Sequence, residues 1–347
     1  MLAVKALSAA RFTSEYLAVA HSNSPYVTVY PWTSSGFGAK FSNPSSLPLG
    51  AGNAVAFHPN GNAIAIVTNE SPPGPYVHAY AWGLSGFGSK FSNPSTGLLG
   101  DGYGVSFNPS GNAIAISQDN LTTPLFIYAW SGAGFGTKFT NPGGSYSFGG
   151  GSPRWSPAGD YLAYANGYLS GLGAAVWPWS GSGTGTKVAN PSSPVSGDAN
   201  AVAWTTSQNA VAWGSDTSPY IYVYAWSSGF GSKFSDPSTL PPGSVSSIVF
   251  TPADNAILMT HAGSPYISAY AWSGSGFGSK FSNPGTLPTG AGEVALNLNG
   301  NAVAVSQSVS PYVSVYPWSG SGFGTKFSDP STLPTGIGRG IAFGAIQ

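Results

Sequence analysis

Seven tryptophans, Trp32, Trp82, Trp130, Trp179, Trp226, Trp272 and Trp318, recur 46 to 50 residues apart, and each closes a run rich in apolar residues. That fixed period, four short apolar runs within it, and Gly, Pro and Asn at constant offsets between the runs predict an all-β fold. The expected architecture is a seven-bladed β-propeller with four antiparallel strands per blade. No segment sustains a 3.6-residue apolar period, so no helix is expected. Units that must stack on one another make one domain of residues 1–347, with 1–12 as an N-terminal arm.

The second unit shows the elements in order. Asn53-Ala-Val-Ala-Phe57 reads as the innermost strand and His58-Pro-Asn-Gly61 as a turn, where Pro fixes φ and Gly supplies a positive one. Ala63-Ile-Ala-Ile-Val67 reads as the second strand and Tyr76-Val-His-Ala-Tyr-Ala-Trp82 as the third. Ser85-Gly-Phe-Gly88 reads as a turn and Ser89-Lys-Phe-Ser92 as the outer strand. In the second strands small residues alternate with large ones: Ala63 and Ala65 with Ile64 and Ile66, Ala302 and Ala304 with Val303 and Val305. One small and one large face lets neighbouring blades interdigitate at interior density.

The two ends together make one further unit. Arg339-Gly-Ile-Ala-Phe343 matches the innermost strand and Glu15-Tyr-Leu-Ala-Val-Ala20 the second, so the C-terminal strand is expected to complete the first blade and remove a free edge. The fourth unit departs from the pattern. Gly183-Thr-Gly185 replaces Gly-Phe-Gly, Val188 replaces Phe, and Pro153, which cannot donate to a ladder, predicts an irregular innermost strand.

Composition narrows the function. Charged residues are only 6 % and the net charge is zero, with no basic run, which argues against nucleic acid as a partner. The absence of cysteine excludes a disulfide scaffold, a thiolate nucleophile and a Cys-based zinc site. No run of 18 apolar residues predicts a membrane span, and Met1–Ala10 is short and interrupted for a signal peptide.

The segment Ala-Val-Ala-Phe-His-Pro-Asn-Gly-Asn-Ala-Ile-Ala-Ile at 54–66 and Pro-Tyr-Val-Thr-Val-Tyr-Pro-Trp at 25–32 resemble the WD-repeat and YVTN-type propellers, over the whole chain. The resemblance implies a rigid disc that binds or scaffolds, usually without catalysis. The chain departs from it in having no Gly-His opening each unit and in Ser, Thr or Gly after the tryptophan in place of Asp. Its Gly-Phe-Gly-x-Lys-Phe-Ser-Asn/Asp-Pro segment also looks like repeats of tailed-phage proteins.

Several positions are candidates for function. The residue ending each second strand is polar and varies: His21, Thr68, Gln118, Asn166, Ser215, His261 and Gln307. A variable polar column on a constant frame is what a binding face needs; the plainer reading is turn capping. Arg154 and Glu293 stand in innermost-strand columns otherwise filled by small residues, where they could line the channel and bind a ligand or simply pair. Tyr168, Leu169 and Leu172 form an apolar loop without equivalents, as contact surface or as a flap over its own blade. One lysine per unit (Lys40, Lys90, Lys138, Lys187, Lys233, Lys280, Lys326) reads as a basic ring or as protection of an edge strand. Tyr26, Tyr76, Tyr220, Tyr266 and Tyr312 read as inter-blade core that could instead stack on sugars. His78 reads as a hydrogen-bonded strand residue. Phe37, Phe87, Phe135, Phe230, Phe277 and Phe323 fold under a neighbouring blade or point to solvent.

No Gly-x-Ser-x-Gly elbow, carboxylate pair or metal-ligand spacing is present, and no cofactor is expected. The leading expectation is a non-enzymatic binding or structural propeller, on a virion or outside the cell, with a protein partner. A carbohydrate-binding lectin is one alternative, and a hydrolase or lyase with a site at the channel mouth is another.

Overall fold

The computed structural model describes residues 14–120, 122–143, 151–165 and 173–346. Within them the chain forms seven antiparallel sheets and no helix. Six sheets have four strands and the fourth blade has three. The first blade closes the ring. Its innermost strand is Gly338–Ile346, which pairs with Ser14–His21, followed outward by Val27–Thr33 and Gly36–Phe37. The other blades run from innermost to outer strand in chain order.

The core lies between blades rather than within them. Seven clusters of buried side chains occupy the seven interfaces. In six of them the small face of one second strand meets the large face of the next, and between the sixth and seventh blades Leu258 joins Ala256 on the facing side. Ala63 and Ala65 of the second blade pack with Ile114 and Ile116 of the third, and Ala302 and Ala304 of the seventh with Leu17 and Val19 of the first. The alternation in the sequence thus sets the spacing of the ring.

Each tryptophan is held edge-on by aromatic rings. Trp272 lies 5.2 Å from Phe277 of its own outer strand, 5.3 Å from Phe250 of its own innermost strand and 5.1 Å from Phe234 of the preceding blade. The arrangement recurs at Trp32, Trp82 and Trp130. The Gly-Phe-Gly phenylalanines are therefore half-buried against their own tryptophans. Tyrosines two residues before the tryptophans on the third strands reach across the same interface: the Tyr30, Tyr80, Tyr128 and Tyr224 hydroxyls each donate, at 2.7 Å, to a carbonyl in the loop leaving the preceding blade.

Two boundaries differ from the sequence expectation. In the second blade the outer strand is Gly86–Lys90, so Gly86 and Phe87 belong to the strand and pair with Gly83 and Trp82. Gly86 has φ +94°, and a Cβ there would lie 2.9 Å from the Phe41 ring, so only glycine starts this strand while letting the neighbouring blade close in. In the fourth blade the innermost strand is the short Pro153–Trp155, as Pro153 led one to expect, whereas an isolated bridge between Trp179 and Thr184 stands in place of the expected outer strand.

Two predictions follow from this packing. Removing residues 338–347 takes the innermost strand from the first blade and bares the edge of Ser14–His21. Light scattering on a sizing column should find aggregate in place of a monodisperse species. Trp272→Ala removes three ring contacts at one interface and should cost about 3–5 kcal/mol in urea unfolding, with the folded far-UV spectrum retained.

Candidate functional site

The axial channel is lined by the innermost strands. In five blades a β-bulge near the start of this strand leaves one residue without a cross-strand partner: Arg339, Asn53, Tyr103, Asn200 and Ser246. A bulge re-aims a side chain and often does so beside functional sites. None of these five side chains is buried. The Arg339 guanidinium donates to Asn53 Oδ1 at 2.6 Å, and Asn53 Nδ2 to the Gly102 carbonyl at 2.7 Å, which ties three neighbouring blades together at one rim.

The channel then narrows at Arg154 and Glu293, which come from the fourth and seventh blades. Arg154 Nη2 lies 3.8 Å from Glu293 Oε1. The equivalents of Glu293 include Ala54, Gly104, Ala201 and Gly340, and those of Arg154 include Ala56, Ala203 and Ala342, which leave the axis open for the two long side chains. Glu293 is fixed from several sides: the Ile341 amide donates to Oε2 at 3.0 Å and Ser152 Oγ to Oε1 at 3.4 Å, while its own amide donates to Ser306 Oγ at 2.8 Å. Burial pushes the Glu293 carboxyl above its ordinary range, and Arg154, Ile341 and Ser152 pull it only partly back. The Arg154 guanidinium gives one hydrogen bond to the Pro153 carbonyl at 3.2 Å.

Arg154 stands between two spaces. On the Glu293 side is a polar chamber of about 10 Å³, walled by Ser152, Asn200, Ser246 and Ser247, room for about one water. On the other is a cavity of about 300 Å³ bounded by Arg154 and by innermost-strand residues such as Val105, Phe107, Ile248 and Ile341. Its walls combine small and apolar side chains with the open backbone edges of those strands.

The other expected site residues are placed differently. His21, Thr68, Gln118, Ser215, His261 and Gln307 are all buried, at most 1 % exposed. His21 and His261 use Nε2 to bond Thr28 and Ser268 across the hairpin at 2.9 Å. Gln307 Oε1 accepts from Ser314 Oγ at 3.3 Å, and Gln118 Oε1 from the Leu99 amide at 2.7 Å. The column thus faces the hairpin interior and presents no open surface, because each side chain satisfies polar groups that the turn would otherwise leave unpaired. Asn166, Tyr168, Leu169 and Leu172 lie outside the described residues, as does the 1–12 arm.

The lysine ammoniums at 40, 138, 187, 233, 280 and 326 bond the Asn or Asp three residues on. Tyr26, Tyr76, Tyr220, Tyr266 and Tyr312 stand just before the third strand with φ between +55° and +68°, a backbone uncommon for a bulky residue.

One cluster joins Thr68 of the polar column to His78, a hydrogen-bonded strand residue as expected, through Glu70, which the sequence did not single out. His78 Nε2 lies 2.7 Å from Glu70 Oε1, and Thr68 Oγ1 donates to the same oxygen. In the first, sixth and seventh blades the hairpin end holds a direct His–Thr, His–Ser or Gln–Ser pair. In the second blade the hydroxyl and the imidazole have exchanged strands and Glu70 bridges them. The longer hairpin after Thr68 was the signal in the sequence.

No protein-family model and no curated protein matches the sequence. Among solved structures, the periplasmic gluconolactonase of Pseudomonas aeruginosa is similar at TM-score 0.70 and 14 % identity, over 96 % of this chain and 100 % of that one. A Bacteroides fragilis protein provisionally named a 6-phosphogluconolactonase is similar at TM-score 0.74 and 11 % identity, over 95 % and 98 %. The β-propeller domain of Myceliophthora thermophila Swd1 is similar at TM-score 0.58 and 11 % identity, over 81 % and 88 %. At these identities the likeness establishes the fold, and any chemistry must come from this chain's own residues.

The expectation of a non-enzymatic scaffold is corrected by this comparison. It rested on what propellers usually do and on the lack of a local motif, whereas two of these three fold-mates carry lactonase names. A propeller site built from separate blades leaves no local motif.

The buried column makes a testable claim about acid. Burial, reinforced by Lys40, lowers His21 from 6.5 to about 4, with hydrogen bonds at Asn23 and Val27 opposing. Below pH 6.5 the unfolded chain binds a proton that the folded one refuses, so stability falls as pH drops from 6.5 towards 4, by about 3 kcal/mol from this group. His21→Gln, the residue found at 118 and 307, should make the urea midpoint fall less steeply across that window, with the remainder due to His58 and His261, which burial also lowers. A midpoint falling as steeply as in the parent would refute the assignment.

Proposed function

We propose that this chain is a hydrolase that opens a lactone-type cyclic ester in the axial channel, with Glu293 as general base and Arg154 as the partner of the developing oxyanion. The carrying observation is the Arg154–Glu293 pair, alone in columns of small residues, with a one-water chamber on one side and a ligand-sized cavity on the other. A 300 Å³ cavity is at the lower end of small-molecule sites. The lactonase names of the fold-mates support the substrate class.

The chemistry balances with these residues. Water held between Glu293 and Arg154 gives a proton to the Glu293 carboxylate as its oxygen bonds the carbonyl carbon of an ester bound against Arg154. The carbonyl electron pair moves onto oxygen, where the Arg154 guanidinium stabilises the charge. Collapse breaks the ring C–O bond, and the leaving oxygen takes the proton back from Glu293, giving a hydroxy acid. A carboxyl held above its ordinary range is a stronger base once ionised, and its fixed place saves reorientation.

The test is acid release at constant pH from D-glucono-1,5-lactone, δ-valerolactone and γ-butyrolactone. Turnover should fall by roughly 10²–10⁴-fold in Glu293→Gln, and kcat/KM should rise with pH through a limb above the ordinary glutamate value of 4.5. No turnover of any lactone, or equal turnover in Glu293→Gln, would overturn the proposal.

A further inference from the structure

The cavity beside Arg154 presents backbone more than side chain. Val55, Val105, Ile248, Val294 and Ile341 border it, but their side chains are buried in the clusters between blades. Ala56, Ala295 and Ala342 also border it and are too short to cover the strand edges.

The ladder fixes where those edges point. The amides of His58, Asn108 and Asn297 donate to the carbonyls of Ala63, Ala113 and Ala302 on the second strands, at 2.9, 2.9 and 3.0 Å. An antiparallel pair bonds through every second residue. The residues one and three places earlier, such as Phe57 and Val55 or Phe107 and Val105, therefore turn their N–H and C=O groups away from the second strand and toward the axis. Two amides at the level of Val55 show it directly: Ile341 donates to Glu293, and Val294 to Ser247 Oγ of the sixth blade at 3.2 Å. In the fourth blade Pro153 holds this level, opposite Tyr164 as Val55 is opposite Ile66, so a residue with no N–H fits there with the pairing kept.

We propose that the substrate is a neutral, polyhydroxylated lactone, whose hydroxyls are read by these backbone edges while Arg154 takes the ester carbonyl. The inference rests on the lactone-opening reading of the channel and adds what surrounds the ester. A hydroxyl both donates and accepts, so several on one ring match N–H and C=O groups offered by several blades at once. An alkyl chain in the same place would leave those groups unpaired, which is costly. A phosphate or carboxylate on the substrate would need a cation of its own, and Arg154 is the only charged residue lining the cavity.

The test is acid release at constant pH, corrected for spontaneous opening. For D-glucono-1,5-lactone kcat/KM should be at least tenfold higher than for δ-valerolactone, the same ring without hydroxyls, for δ-decalactone, the ring with an alkyl chain, and for 6-phospho-D-glucono-1,5-lactone. By calorimetry D-glucono-1,5-lactam should bind saturably and at least tenfold more tightly than δ-valerolactam. Val105→Pro removes one axis-facing N–H and no ladder bond. It should lower the preference for the glucono-lactone over δ-valerolactone at least threefold, with the urea midpoint near that of the parent. Equal or better turnover of the bare, alkyl or phosphorylated lactone, no lactam binding, or an unchanged preference in folded Val105→Pro would overturn the substrate class and leave the hydrolase reading standing. Saturable lactam binding with no turnover of any lactone would overturn the hydrolase reading and keep the polyol site.

Discussion

The edge-to-face contact between each tryptophan and the rings around it is the constraint on which the rest of the molecule depends. A single such pair contributes about 0.5–1.5 kcal/mol beyond the area it buries. What matters more is where the partners come from. Trp82 is gripped by Phe87 and Phe57 of its own blade and by Phe41 of the blade before it. Outer strand, innermost strand and neighbouring blade are thereby fixed by one side chain. Because the contact repeats around the ring, the angle between successive blades is set by ring geometry rather than by polar networks, which suits a chain in which charged residues are only 6 %.

A frame set in this way leaves the axis free for exceptions. The positions facing it need only be small, and a bulge at the start of five innermost strands turns one residue of each out of the ladder. Arg154 and Glu293 exploit the space. The hydrogen bonds that fix Glu293 come from Ile341 and Ser152, on two different blades. The carboxylate is therefore positioned by the ring as a whole.

The blades were legible in the sequence because their cause is local. Alternating Ala and Ile, a tryptophan at constant offset and turn residues between them each act within a few positions. The outer strand began three residues earlier than expected because Gly86 starts a strand rather than sitting inside a turn, a choice decided by Phe41 on the adjacent blade. The polar column ending at Gln307 was conspicuous, but residue type does not reveal direction. A histidine or glutamine at a strand end suits a surface and a buried cap equally well, and only its partners Thr28, Ser268 and Ser314 decide. Arg154 and Glu293 stood out singly as large residues among small ones. Their approach across the axis, and the Glu70 bridge between Thr68 and His78, depend on ring closure and hairpin path, which no local pattern encodes.

The shared first sheet has a bearing on how the molecule comes into being. Ser14–His21 leaves the ribosome long before Gly338–Ile346, yet the two lie side by side. Throughout synthesis the nascent first blade has a vacant inner position, and every later blade is laid down on a ring that is still open. The contact with the greatest sequence separation is thus also the last to become available, and contacts of that kind slow folding. A partly made chain offers its unpaired strand to any passing edge, so the period between first and last blade is the one in which a chaperone would have most to protect.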